Sequence, residues 1–369
     1  MIDEKQFGFE IDFLPVGEGS KSGDAICMRW GNLNNRDQQK VMVVDGGFAD
    51  DADAIENHIC KYYNTCRIDY VLITHPHADH MNGIKAILED DRCPLAIGHL
   101  LVIDPIKHIN LNYFDSSRLK AETVRHELVA KLSTLKEILD LAKERGIPHC
   151  EPFAECWEYS DEYGVSMQIL SPTKRYYESL LPSFSSTPTD GDRNGADRLE
   201  YTGGRIDARK ATLPDEGETS AENDASVVLC LTLPTGEIVL LSGDAGMEAL
   251  SYSIMRAEDR GIDLPNHIRI FKVPHHGSIQ NLNSGNLDGI LGDEAASQKR
   301  GRAFAIFMVS KNAAKGHPDK TVTNEIWNRN CEPYKTDGSC LCYAMGCHPD
   351  RGWTPAEPIE FQSKVDAVK

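Results

Sequence analysis

Apolar residues recur along this chain in two alternating rhythms. Short runs rich in β-branched side chains, bounded by Gly, Pro or Asp, predict strands at 9–16, 25–30, 41–44, 70–74, 100–103, 167–170, 226–233, 238–241, 268–273 and 304–309. Between them, three-and-four spacing predicts helices. Ala54, Ile55, His58 and Ile59 form one stripe within 51–62. Leu119, Val124, Leu128, Leu132, Leu135, Leu139 and Leu141 carry another through 117–144, and 247–259 follows a strand that ends near Asp244. Strands and helices mixed along the whole length predict an α/β (α+β) arrangement, sheets covered by helices.

One stretch breaks the rhythm. From Pro182 to Glu222 the chain is rich in Ser, Thr, Gly, Asp and Pro and has almost no apolar periodicity, which predicts a flexible insertion at about 178–222. A solvated loop is the simplest expectation; a substrate lid or a protease-sensitive regulatory segment are the functional ones. Its basic residues Arg193, Arg198, Arg205, Arg209 and Lys210 suit a trypsin-like partner protease.

Charge narrows the function. The 369 residues hold 39 Lys and Arg against 57 Asp and Glu, a formal net charge of −18. Such a surface repels phosphate backbones and anionic membranes, so broad electrostatic binding of nucleic acid is excluded unless a metal ion or a local basic patch intervenes. No apolar run approaches the roughly 18 residues of a membrane span, and the first residues lack a signal-peptide pattern. Eleven scattered cysteines predict reduced thiols and a cytoplasmic location. Cys331, Cys340, Cys342, Cys347 and His348 lack the paired spacing of a zinc knuckle.

The chemistry concentrates at Thr74-His75-Pro76-His77-Ala78-Asp79-His80, directly after an apolar run. Three imidazoles and a carboxylate on one loop suit two divalent ions a few ångströms apart. Borderline-soft metals accept imidazole, and bridging metals need carboxylate.

His-x-His-x-Asp-His after a strand resembles the signature of the metallo-β-lactamase superfamily. Phe13-Leu14-Pro15-Val16-Gly17-Glu18-Gly19, followed by Gly23-Asp24-Ala25-Ile26, is similar to the opening of one branch. That branch holds the hydrolase domain of the DNA-uptake channel protein ComEC and its stand-alone relatives. Val44-Asp45-Gly46-Gly47, Asn223-Asp224-Ala225-Ser226, Leu241-Ser242-Gly243-Asp244, Lys272-Val273-Pro274-His275-His276-Gly277-Ser278 and Gly316-His317-Pro318 follow in the branch's order. Pro15 replaces the usual Asp, and Ser20, Lys21 and Ser22 are extra.

The resemblance spans about 9–345 and implies a single αββα sandwich domain over 1–369. It implies a cofactor of two divalent metal ions, Zn or Mn. His75 and His77 would hold the first, Asp79 and His80 the second, and Asp244 would bridge them. One of His275 and His276 would complete the second site. Neighbours on a strand face opposite ways, so only one of them is expected to point at the metal; His275 is assigned as the ligand, and His276 as the group that orients a ligand or protonates the leaving group. Asp224 or Asn223 would stand in for the superfamily's third-motif histidine, with His99, His108, His126 and His149 as weaker candidates. Asp79 or Asp244 would steer the nucleophile's proton, and His275, His276 or His317 would serve the leaving group, with His317 as an extra ligand the alternative. The implied activity is a phosphodiesterase, expected to be a nuclease acting on DNA. The alternatives are a small phosphodiester, such as a cyclic nucleotide or phosphocholine ester, or another hydrolysis of the superfamily's type, on a lactam or thioester. A further expectation is an effector in bacterial phage defence, activated by a partner protease.

Overall fold

The alternation along β1 (Gly8–Phe13) already sorts the molecule into faces: Phe9, Ile11 and Phe13 enter one apolar core, while Glu10 and Asp12 point the other way. In this computed structural model, which describes residues 6–109, 126, 128–184, 201–208, 211–298, 301–313 and 317–368, β1 lies in the first of two seven-stranded sheets. Beside it run β2 (Ala25–Gly31), β3 (Gln39–Gly46), β4 (Arg67–Leu72), β5 (Ala96–Leu101) and β6 (His149–Cys150), and β15 (Leu341–Gly346) pairs with its other edge. β15, β1, β2 and β3 are antiparallel; β3 to β6 are parallel.

The second sheet runs β7 (Glu158–Ser160), β8 (Ser166–Ser171), β10 (Val228–Thr232), β11 (Ile238–Leu241), β12 (Ile268–Lys272), β13 (Ala303–Phe307) and β14 (Cys331–Lys335). Its residues divide with period two. Leu229, Leu231, Val239, Leu241 and Ile270 join the core shared with β1, whereas Val228, Cys230, Ile238, Leu240 and Phe271 join a second core. Each large apolar side chain so buried stabilises the fold by about 1.5–3 kcal/mol.

Helices cover both outer faces. Ile55 and Ile59 of α1 (Ala52–Tyr62), Ile84 and Ile87 of α2 (Ala78–Glu89) and Leu135 and Ile138 of α3 (Ser133–Glu144) pack on the first sheet's side. Past α4 (Lys174–Phe184) and α5 (Ala221–Asp224), α6 (Met247–Asp259) lays Leu250 and Ala257 into the second core. The fold is the αββα sandwich that the resemblance implied. Among the described residues, no helix is long and apolar enough to cross a membrane.

Two expectations change. The stretch from Pro182 to Glu222 is not uniformly without structure: α4 runs on through Phe184, and β9 (Tyr201–Asp207) pairs antiparallel with β16 (Lys364–Val368). The partner of β9 is remote in sequence, so local periodicity carries no trace of it. Arg193, Arg198, Arg209 and Lys210 lie outside the described residues, as do Leu119 and Val124 of the expected helix at 117–144 and Gly316 beside His317. The histidine motif does not end in a loop: Asp79 and His80 occupy the first turn of α2.

The parallel strands β3 and β4 of one sheet, and β11 and β12 of the other, deliver their carboxyl ends to the residues of one cluster: Asp45 in β3, His75 beyond β4, Asp244 beyond β11, and Lys272 closing β12. Ligand sites in open α/β sheets form at such ends.

Candidate metal centre

The loop after β4 is fixed from both sheets. The Thr74 N–H donates to Asp45 Oδ1 at 2.8 Å, and Thr74 Oγ1 donates to Asp45 Oδ2 at 2.7 Å. The Val227 N–H donates to Thr74 O at 3.0 Å, tying the loop to the second sheet. His77 then precedes α2 in an extended conformation and makes no side-chain capping bond. Asp79 in the first turn suits the positive end of the helix dipole. A close backbone approach sets Asp24: its N–H donates to Asp79 O at 3.2 Å, and a Cβ on neighbouring Gly23 would lie 2.5 Å from that oxygen.

His80 is the hub. Its Nδ1 lies 2.8 Å from Asp45 Oδ2, while its Nε2 lies 3.4 Å from Asp244 Oδ2 and 3.8 Å from Asp79 Oδ2. His75 Nε2 lies 4.0 Å from the same Asp244 oxygen and 2.9 Å from His77 Nδ1. Three groups therefore bring metal-binding atoms within reach of a common ion: His75, His80 and Asp244; Asp79, His80 and His276; and Asp24, Asp45 and His80. Asp45 on Nδ1 fixes the imidazole's tautomer and leaves Nε2 facing the carboxylates, the carboxylate–histidine arrangement that orients metal ligands.

His275 and His276 sit in a tight turn, not on a strand. Their φ angles are 45° and 56°, two consecutive left-handed residues that are not glycine. Each costs on the order of 1–3 kcal/mol, and such strain persists where the surroundings impose it. The turn sends the rings to different partners. His276 Nδ1 lies 2.6 Å from Met308 O, which leaves its Nε2 as the remaining donor atom, and the ring joins Asp79 and His80. His275 Nδ1 lies 3.2 Å from Asn281 Oδ1, and its N–H donates to Asp244 Oδ1 at 3.2 Å. The two rings take different neighbours because left-handed backbone replaces the assumed strand alternation.

Lys272 is fully buried, with its ammonium on Asp24 Oδ2, 3.4 Å from Asp244 Oδ1 and 2.8 Å from Gly243 O. Burying it costs several kcal/mol unless paired, and the two carboxylates supply the pairing. Burial disfavours charge on His80, yet Asp244, Asp45 and Asp79 hold its pKa well above the ordinary histidine range. Burial also opposes charge on Asp244, but His80, Lys272 and His275 hold it well below the carboxylate range. Asp24 goes the other way: burial outweighs Lys272 and His80, and its pKa rises to about 6.

These residues fit divalent metal ions. Asp24 and Asp244 share Lys272, Asp45 and Asp79 lie against His80, and several imidazole nitrogens point inward. That excess of carboxylate with imidazole is the donor chemistry of Zn or Mn.

Asp224 is directed elsewhere. Its carboxylate accepts from Thr219 Oγ1 at 2.6 Å and from the Gly246 N–H, before α6. Asn223 beside it is fully buried. His317 approaches from the far side, its ring centroid 6.3 Å from that of His275. Of the weaker candidates, His99 stacks on Tyr70, His108 pairs with Glu151, His149 meets Val102 O, and His126 is exposed. Sequence reasoning gave no role to Asp24, Asp45, Lys272 or Asn281, although the first three stood inside the quoted motifs. Asn281 donates to Asp244 O at 3.0 Å and carries no motif.

Residues 36–140 match the family described as the Metallo-beta-lactamase superfamily. No curated protein matches the chain. Among solved structures, the chain is similar to a metallo-beta-lactamase with a HARLDQ motif from Cronobacter sakazakii (11% identity, 67% of this chain and 73% of that one, TM-score 0.29). It is also similar to a long-form RNase Z from yeast (10% identity, 86% of this chain and 34% of that one, TM-score 0.33). The matched segment takes in β3, β4, the histidine motif and α2.

Proposed function

We propose that this protein is a metal-dependent phosphodiesterase that cleaves DNA. The observation that carries the reading is the position of Asp244 Oδ2, 4.0 Å from His75 Nε2 and 3.4 Å from His80 Nε2, with Asp79 3.8 Å from the same His80 nitrogen and His276 within reach of both. That arrangement suits a carboxylate shared by two ions. Two divalent ions held there would supply a water of lowered pKa and offset charge growing on phosphoryl oxygens. Asp45 and the Met308 carbonyl orient His80 and His276. Asp79, partly open to solvent, is placed to hold the nucleophile's proton, and His317 at the rim to protonate the leaving oxygen. DNA as substrate rests on the motif order shared with the ComEC-like branch.

The test supplies Mn²⁺ or Zn²⁺ with single-stranded DNA, duplex DNA, RNA and bis-p-nitrophenyl phosphate. The expected result is DNA cleavage that Asp79→Ala and Asp244→Ala abolish. Turnover surviving both substitutions overturns the site; turnover of the small ester alone moves the substrate to a small phosphodiester. Control by a partner protease rests on the basic residues of 193–210, of which Arg205 is exposed in β9. Equal activity before and after limited trypsin digestion would remove it.

A further inference from the structure

Between α1 and β4 the chain reverses direction in a few residues. The Tyr63 N–H closes α1 on Ile59 O at 3.1 Å, and Asn64 takes a φ of 52°, a left-handed turn that asparagine tolerates. The reversal lays Cys66, exposed just ahead of β4, over Cys60, partly buried in the last turn of α1. Their Sγ atoms are 3.3 Å apart. A disulfide has a sulfur separation of about 2.05 Å, so bond formation needs an approach of little more than an ångström. Both residues flank a turn, where the backbone accommodates that shift more readily than inside a sheet.

We propose that Cys60 and Cys66 are a modification site: a dithiol that closes to an intramolecular disulfide by exchange with a low-molecular-weight disulfide such as oxidised glutathione. The exposed Cys66 thiolate attacks one glutathione sulfur and releases the other half as thiolate. Cys60 then attacks Cys66 Sγ in the mixed disulfide and expels the second glutathione. The two protons lost by the cysteines end on two glutathione thiols, so the dithiol is oxidised and the glutathione disulfide reduced. The order follows exposure: the small-molecule disulfide reaches Cys66 first, and burial together with the Cys66 contact pushes Cys60 up to about 12, the weaker first nucleophile. The bond ties the end of α1 to the start of β4, the strand that leads into Thr74 and the histidine motif. It departs from the expectation of uniformly reduced thiols.

Trypsin cuts after Lys61 and Arg67, so Cys60 and Cys66 fall in separate peptides, 41–61 and 62–67. The full-length protein is equilibrated with oxidised glutathione, denatured in N-ethylmaleimide without reductant, digested and weighed. The expected product is 41–61 joined to 62–67, two hydrogens lighter than the separate peptides and split by dithiothreitol. It persists in Cys93→Ser and vanishes in Cys66→Ser, where Cys60 carries the maleimide. Recovery of both cysteines as maleimide adducts, or as glutathione adducts that never resolve, overturns the proposal. So does a bond from Cys60 to Cys93.

Discussion

Two groups of buried charges differ in place and in partners, one on the outer face of the first sheet and the other where the strand ends of both sheets meet. On the outer face of β1 and β2, Glu10 faces Arg29 across the register, with Arg29 Nε 2.7 Å from Glu10 Oε2. Arg351 comes in from the chain after β15 and lies 3.0 Å from both oxygens of Asp12 and 3.2 Å from Glu10. Tyr63 donates to Asp12 at 2.6 Å, His58 lies 3.0 Å from it, and the Arg351 guanidinium rests 4.3 Å from the Trp353 ring. Two carboxylates meet two guanidiniums, and the charges cancel. At the carboxyl ends of the parallel strands, Asp24 and Asp244 share Lys272, while Asp45 and Asp79 lie against His80, whose charge depends on those carboxylates. The first cluster is closed by the protein's own cations. The second gathers carboxylates and imidazoles within reach of a common ion, which sets a candidate binding site apart from a structural network even though both are buried.

The sharpest break of this comparison is Asp244→Ala. It removes the carboxylate common to His75 and His80, and phosphodiester cleavage should fall by about 10³-fold. Arg351→Met should do the reverse. It strands Asp12 and Glu10 without their shared cation and should destabilise the fold by about 3–5 kcal/mol, read as a lower urea midpoint, with turnover per folded molecule unchanged. If Arg351→Met lost activity in the folded state, or Asp244→Ala kept it, the division into structural and binding clusters would collapse.

The two clusters were unequally legible. Strand ends rich in His and Asp announce a site locally, so His75, His77, Asp79 and His80 were named from their residue types and spacing, and Asp244 from the resemblance. The outer cluster was not, because Asp12 and Arg351 are 339 positions apart, and alternating Phe9-Glu10-Ile11-Asp12-Phe13 reads as a strand with a polar, solvated face. In the structure Glu10 and Asp12 are 0% exposed. The helical stripe of Met81, Ile84, Ile87 and Leu88 in α2 was present in the sequence but overshadowed by the ligand-type residues before it. The roles of His275 and His276 hinged on backbone angles that pattern arguments do not reach.

A milder substitution tests how the open cluster is held ready. Asp45→Asn keeps an oxygen for Thr74 but removes the negative charge from His80 Nδ1. Metal affinity should drop by about 10–100-fold, measured by competition with a chromogenic chelator. Arg29→Lys in the closed cluster should leave that affinity unchanged. Equal loss in both variants would mean that the clusters are coupled through β2 and β3.

The smallest effect is a pH signature of the closed cluster. Burial opposes charge on Asp12, but His58, Arg351 and Tyr63 together hold its carboxyl below the ordinary value of 3.8. A carboxyl whose folded pKa is depressed binds protons more readily once unfolded. Its contribution is therefore complete above the unfolded value and is lost as pH falls below about 4 towards the folded one. The difference in urea stability between the parent and Asp12→Asn should accordingly be constant from pH 5 to 7 and shrink steadily below pH 4. Metal ions should leave that curve unmoved, since no donor of the open cluster touches Asp12. A curve that shifts with added Mn²⁺, or a difference that persists at pH 3, would show that Asp12 is not held as an anion by its own arginine, and the contrast between the clusters would lose its electrostatic basis.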